Sequence, residues 1–154
     1  MKTKCSILLA LCLLCSSLAI AQHQLFDKYA EMDNVTSVYI SKAMFNMMPV
    51  IGDVGLSLMN MKGKVESLQL VSTEQKDRIP QMREEFTRLV SSRHQELMRV
   101  RDGKTRATFY ADMNGDQVKD LLMLADTDSS FTVIQLLGNF TLKDIQEIAG
   151  EMGK

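Results

Sequence analysis

Residues 95–140 read QELMRVRDGKTRATFYADMNGDQVKDLLMLADTDSSFTVIQLLGNF, and the fold turns on this stretch. Runs rich in β-branched, aromatic and aliphatic residues are separated by Asp102-Gly103, by Asn114-Gly115 and by Asp126-Thr127-Asp128-Ser129-Ser130. Clusters of Gly, Asn, Asp and Ser end strands because they accept turn conformations that other residues resist. The expected strands are Leu97–Arg101, Lys104–Ala111, Val118–Ala125 and Phe131–Leu137. Short turns between them imply antiparallel neighbours, because a parallel pair needs a long crossover. Leu121 to Leu124 is apolar at consecutive positions, so that strand is expected near the sheet centre with both faces covered.

Upstream of this meander the pattern mixes short helices with strands. Gln24 to Met32 reads as a helix with Leu25, Phe26, Tyr29 and Ala30 on one side. His23 sits at its fraying end, expected to be exposed and without a role. Val35 to Ile40 has the β-branched and aromatic content of a strand, and Ser41 is placed to cap a helix from Lys42 to Met48. Pro49, Gly52 and Gly55 then break the nearly uncharged Ala43–Met61 region into a helix, a loop and a second short helix. Lys64 to Val71 alternates and predicts another strand. Ser72 and Gln75 have the spacing of a capping box. The helix after them carries Ile79, Met82, Phe86, Leu89 and Val90 on one face, with Pro80 in its first turn, where proline loses no hydrogen bond. Thr141 is expected to cap a last helix bearing Leu142, Ile145, Ile148 and Ala149. The whole predicts an α+β domain, an antiparallel sheet built on the C-terminal meander with helices packed on it.

The N-terminus carries a different signal. Lys2 and Lys4 precede the apolar run Ile7 to Leu14, and Ala19-Ile20-Ala21 supplies small residues three and one positions before a cut. That order of charge, apolar core and small residues predicts a secretory signal over residues 1–21, cleaved between Ala21 and Gln22. Residues 22–154 then form one domain, exported to the periplasm or cell envelope. Cys5, Cys12 and Cys15 all leave with the signal, so disulfides and thiolate chemistry leave too. The formal net charge of the whole chain is −1, and losing two lysines makes the remainder more acidic. Nucleic-acid binding, which needs a basic face, is not expected. No later stretch is long and apolar enough for a transmembrane helix.

Two parts of the chain carry a family resemblance. Val38-Tyr39-Ile40-Ser41-Lys42-Ala43-Met44 follows a short acidic helix. Phe131-Thr132-Val133-Ile134-Gln135, Gly138-Asn139-Phe140 and Leu142-Lys143-Asp144-Ile145 close the chain. Together they resemble a family of small exported Bacteroidetes proteins known as domain of unknown function 4252. The resemblance covers most of the chain after the signal. It implies a cell-envelope location and no particular activity.

Two constellations suggest binding chemistry. Asp112, Asn114, Asp116 and Asp120 occupy positions 1, 3, 5 and 9 of a loop, with the Val118 carbonyl at position 7. Closely spaced hard oxygens of this kind suit calcium, although the glycine position and the missing glutamate exclude an EF-hand. The competing reading is a hairpin, because Asn-Gly readily adopts positive φ at both central positions. It would place Asp112 and Asp120 on different strands, away from the turn. Met44, Met47, Met48, Met59 and Met61 cluster in the Ala43–Met61 region. Thioethers suit Cu(I), but no His or Cys stands nearby, and methionine more often builds an adaptable apolar contact surface. Catalysis has little support: there is no Gly-x-Ser-x-Gly elbow and no phosphate loop. The neighbouring carboxylates Glu84 and Glu85 point in different directions on a helix. The expected function is non-enzymatic binding of an envelope protein or a small apolar ligand, without a cofactor. The alternative is a calcium-stabilised domain, and an enzyme of unrecognised type comes third.

Overall fold

The computed structural model describes residues 23–47, 63–90 and 92–152. The expected signal segment, Pro49 and the second short helix lie outside the described residues. The elements run α1 (residues 23–30), β1 (Val35–Ser41), α2 (Lys42–Met47), β2 (Val65–Thr73), α3 (Ile79–Leu89), β3 (His94–Asp102), β4 (Thr105–Asn114), β5 (Gln117–Asp126), β6 (Phe131–Thr141) and α4 (Leu142–Met152). The strands form one antiparallel sheet in the order β1-β2-β6-β5-β4-β3. The α+β expectation holds, and the meander supplies four adjacent strands of the six.

Side chains alternate between faces along a strand, so neighbours in sequence enter different cores. Leu121 is buried with Phe45, Leu68, Phe109, Leu136, Phe140 and Ile145, which puts α2 and α4 on one face. Leu122 is buried with Phe26, Tyr29, Met82, Phe86, Phe131 and Val133, which puts α1 and α3 on the other. The run Leu121 to Leu124 is therefore apolar because β5 is covered on both sides, as its pattern predicts. Phe86 of α3 joins the two helices of its face: its ring meets Phe26 at 5.0 Å edge-on and Tyr29 at 5.4 Å. Burying side chains of this size stabilises by roughly 1.5–3 kcal/mol each, so apolar cover outweighs any one surface ion pair. Among the described residues, no helix is long and apolar enough to cross a membrane.

The turns differ from expectation by one residue. Asn114 pairs with Gln117 and Asp102 with Thr105, so the central residues are Gly115-Asp116 and Gly103-Lys104. Gly115 and Gly103 have φ of 62° and 55°, whereas Asn114 has no positive φ and ends its strand. Glycine at the first central position matches the type II′ pattern, which turns without needing Asn in the left-handed region. The proposed capping box also fails. Ser72 is a strand residue whose Oγ lies 2.7 Å from Thr132 Oγ1 on β6, and Thr73 Oγ1 accepts from the Gln75 amide. Arg78 precedes α3 without a side-chain cap, and Pro80 stands in the first turn, as expected. Pairing with β6 continues β2 beyond Val71 to Thr73 and outcompetes the local cap.

At the other end the cap is real. Thr141 Oγ1 accepts from the Asp144 amide at 3.3 Å, and Asp144 accepts from the Thr141 amide at 2.7 Å. Lys64 adds an ion pair to Asp144 at 2.7 Å. Burial pushes the Asp144 carboxyl up, but the donors from Lys64 and Thr141 outweigh it and hold its pKa below the ordinary value. Strand β6 extends past Leu137 to reach this cap. Gly138 makes that passage possible, because a Cβ there would overlap the Lys64 carbonyl oxygen, which accepts from Asn139 N at 2.8 Å.

Two outcomes follow from this end of the sheet. Gly138→Ala is expected to lower stability by roughly 1–3 kcal/mol, the usual cost of overpacking, measured by urea unfolding. The lowered Asp144 value means its carboxylate contributes stability above the ordinary carboxylate range, a contribution lost as the pH falls through the folded-state value. Asp144→Asn should therefore lower the urea midpoint near neutrality and flatten its decline in acid; a parallel decline in both proteins would contradict this.

Candidate functional site

The α1/α3 face is apolar only where the two helices cover it. Toward the ends of the strands that bear Gln69, Asp120 and Gln135, positions that alternation turns to the same face become polar. One row of register partners crosses five strands as Ser67, Leu137, Asp120, Asp112 and His94. The adjacent row holds Tyr39, Gln69 and Gln135. Strand periodicity points these side chains where Val71, Leu122 and Val133 point further along.

Gln69, His94, Asp120 and Gln135 are buried, and burial makes hydrogen bonding obligatory for their polar groups. Gln135 is buried and donates from Nε2 to both carboxylate oxygens of Asp120, at 3.0 Å each. His94 is buried beside the same carboxylate, with Nε2 3.3 Å from Asp120 Oδ2. Arg93, next to it in sequence, lies 3.7 Å from Asp112. Gln69 is only 6% exposed and its Nε2 donates to His23 Nδ1 at 2.9 Å, yet its Oε1 is buried with no partner. An orphaned amide oxygen costs about 1–3 kcal/mol, so its presence in an otherwise satisfied floor is informative.

These groups line a cleft of about 320 Å³ formed by His23, Tyr39, Gln69, Arg93, Lys119 and Asp120, with Ser67, Gln135 and Leu137 completing the wall. Its size falls at the lower end of the range of small-molecule sites. Lys119 is the extra residue of β5 where the register with β4 shifts, between the Asp112–Asp120 and Met113–Val118 pairs. An extra residue of this kind re-aims a side chain away from strict alternation. Tyr39 stands at the rim, 61% exposed.

The residues singled out by sequence are only partly brought together. Asp112 and Asp120 are direct register partners across β4 and β5, so they share one face. Their carboxylates meet Arg93 and the Gln135–His94 pair. Asn114 closes β4, and Asp116 is exposed at the turn, its carbonyl accepting from Leu142 N at 3.3 Å. Among the described residues no three His, Cys, Asp or Glu side chains group in a way that could hold a metal ion. Met44 and Met47 are 48% and 72% exposed on α2, whose Phe45 points inward. Met48, Met59 and Met61 lie outside the described residues. Glu85 has a structural occupation: Lys28, Gln81 and Tyr29 all donate to it. Burial pushes its carboxyl up, but these donors outweigh that and lower its pKa.

Sequence reasoning missed the cleft. It gave His23 no role, whereas His23 meets Gln69; it placed His94 before the first meander strand, whereas His94 opens β3. One signal was present. Gln69 lies between Leu68 and Leu70, and Gln135 between Ile134 and Leu136, each a polar residue inside a strand that both neighbours mark as deeply placed.

A protein-family model described as Domain of unknown function (DUF4252) matches residues 29–148, a span holding every cleft residue except His23. No curated protein and no solved structure matches the chain.

The orphaned oxygen gives the cleft a thermodynamic signature. Gln69→Leu removes an unsatisfied buried acceptor and gives up one bond to an exposed histidine. It is expected to leave stability within about 0.5 kcal/mol or to raise it, measured by urea unfolding. A loss well beyond that would make Gln69 an ordinary structural residue.

Proposed function

The chain belongs to the DUF4252 family, and we propose that it is an exported, non-enzymatic binding domain whose ligand site is the cleft beside α1. The observation that carries this is Gln69 Oε1, buried and without a partner in a floor whose other polar groups are held. A buried acceptor without a donor is destabilising, and a donor on a bound ligand would relieve that cost. Export rests on the charge, apolar core and Ala19-Ile20-Ala21 order of the N-terminal segment. Binding is preferred to catalysis because Asp120, the carboxylate in the floor, is engaged by Gln135 and His94. No serine or threonine among the cleft-lining residues is hydrogen-bonded to either histidine in the way a nucleophile and its base require.

A second reading has its own support. Met44 and Met47 present flexible apolar side chains to solvent on a helix anchored by Phe45. Such a surface suits a protein partner of the envelope.

One experiment separates the two. A fragment library screened by NMR against the ¹⁵N-labelled protein should shift the side-chain amides of Gln69 and Gln135 together with the Lys119 backbone amide. Shifts confined to α2 would transfer the binding site to Met44 and Met47. Shifts scattered over the surface would remove the cleft from consideration.

A further inference from the structure

The cleft is asymmetric in its chemistry, and that asymmetry limits what it accepts. Lys119 lines it and has no hydrogen-bond or ion-pair partner among the described residues. Arg93 lines it too, its Nε 3.7 Å from Asp112 Oδ2. These two cations make one part of the cleft favourable to an anion. Gln69 contributes the opposite need: a buried carbonyl oxygen that lacks a donor. A third constraint comes from Asp120, which belongs to the same lining and is only 8% exposed. A buried negative charge there repels a dianion such as phosphate more strongly than it repels a monoanion. The exposed Tyr39 and the side chain of Leu137 add apolar surface.

We propose that the cleft takes a small monocarboxylate carrying a hydroxyl donor, with its carboxylate held by Lys119 and Arg93 and its hydroxyl bonded to Gln69 Oε1. The inference rests on the reading of the cleft as the binding site and adds the class of ligand. Each feature answers a different part of that molecule. The cations take the charge, Gln69 takes the donor, and the Tyr39 ring takes an apolar tail. A ligand without the hydroxyl leaves the Gln69 oxygen orphaned, and one without the carboxylate leaves Lys119 unpaired.

A matched series of probes tests this on the purified protein by NMR titration. 3-Phenyllactate carries the carboxylate, the hydroxyl and an aromatic tail. 3-Phenylpropionate lacks the hydroxyl, and 3-phenylpropane-1,2-diol lacks the carboxylate. Phenyllactate is expected to bind about tenfold more tightly than either, the effect of one buried hydrogen bond or one charge-assisted contact. Lys119→Met should abolish its advantage over the diol. Gln69→Leu, which is expected to fold normally, should abolish its advantage over phenylpropionate. Equal affinity for all three probes, or a preference that survives both substitutions, overturns the ligand class while leaving the cleft as a binding site. Inorganic phosphate displacing phenyllactate at equal concentration also overturns it. If none of the three shifts the cleft resonances, the proposed class falls. The cleft itself falls only if the broader fragment set avoids it too.

Discussion

Leu121 and Leu122 are adjacent in the chain and buried in separate cores, one under α2 and α4, the other under α1 and α3. This double burial of β5 is the constraint on which the rest of the structure depends. A strand that must bury both faces needs paired strands on both edges and helices on both sides. β4 and β6 supply the edges, and the two helix pairs supply the cover. Burial of one Leu is worth about 1.5–3 kcal/mol, and β5, β6 and β2 contribute several such residues to each face. No local preference of a turn or a cap competes with that sum.

The same constraint explains where local expectations failed. Ser72 and Gln75 have the spacing of a helix cap, but continuing β2 keeps Val71 in one core and lets Ser72 meet Thr132 across the sheet. A helix cap contributes about 1 kcal/mol, less than the strand extension and the burial it secures. The hairpins moved by one residue for a related reason. The register that sets Asp112 opposite Asp120 also sets Ala111 opposite Leu121; the shift at Lys119 then brings Asn114 opposite Gln117, and Gly115 takes the first position of the turn. Register follows the buried face, and the turn accommodates it.

The polar cleft is the part of the face that the helices leave uncovered. Once α1 and α3 have met Val71, Leu122 and Val133, the next positions along the strands are Gln69, Asp120 and Gln135. Gln135 donates to Asp120, and His94 reaches the same carboxylate from the edge strand. Gln69 does not find a second partner. Much of the fold was legible because β periodicity, Pro80, Thr141 and the Asp-Gly and Asn-Gly breaks act over a few residues. The cleft was not legible because its residues are drawn from α1, β1, β2, β5, β6 and the approach to β3.

The sequence by itself determined the class of fold, the meander and which strand would lie deep, because alternation and consecutive apolar runs report burial directly. It also determined membership of the DUF4252 family, whose model matches residues 29–148. Only the tertiary structure decided that Asp112 and Asp120 are register partners with separate hydrogen-bonding partners, that Met44 and Met47 face solvent, and that His23 meets Gln69. These depend on sheet order and on which segment each helix covers. Both are settled by contacts between residues far apart in the chain, which no short window of sequence contains.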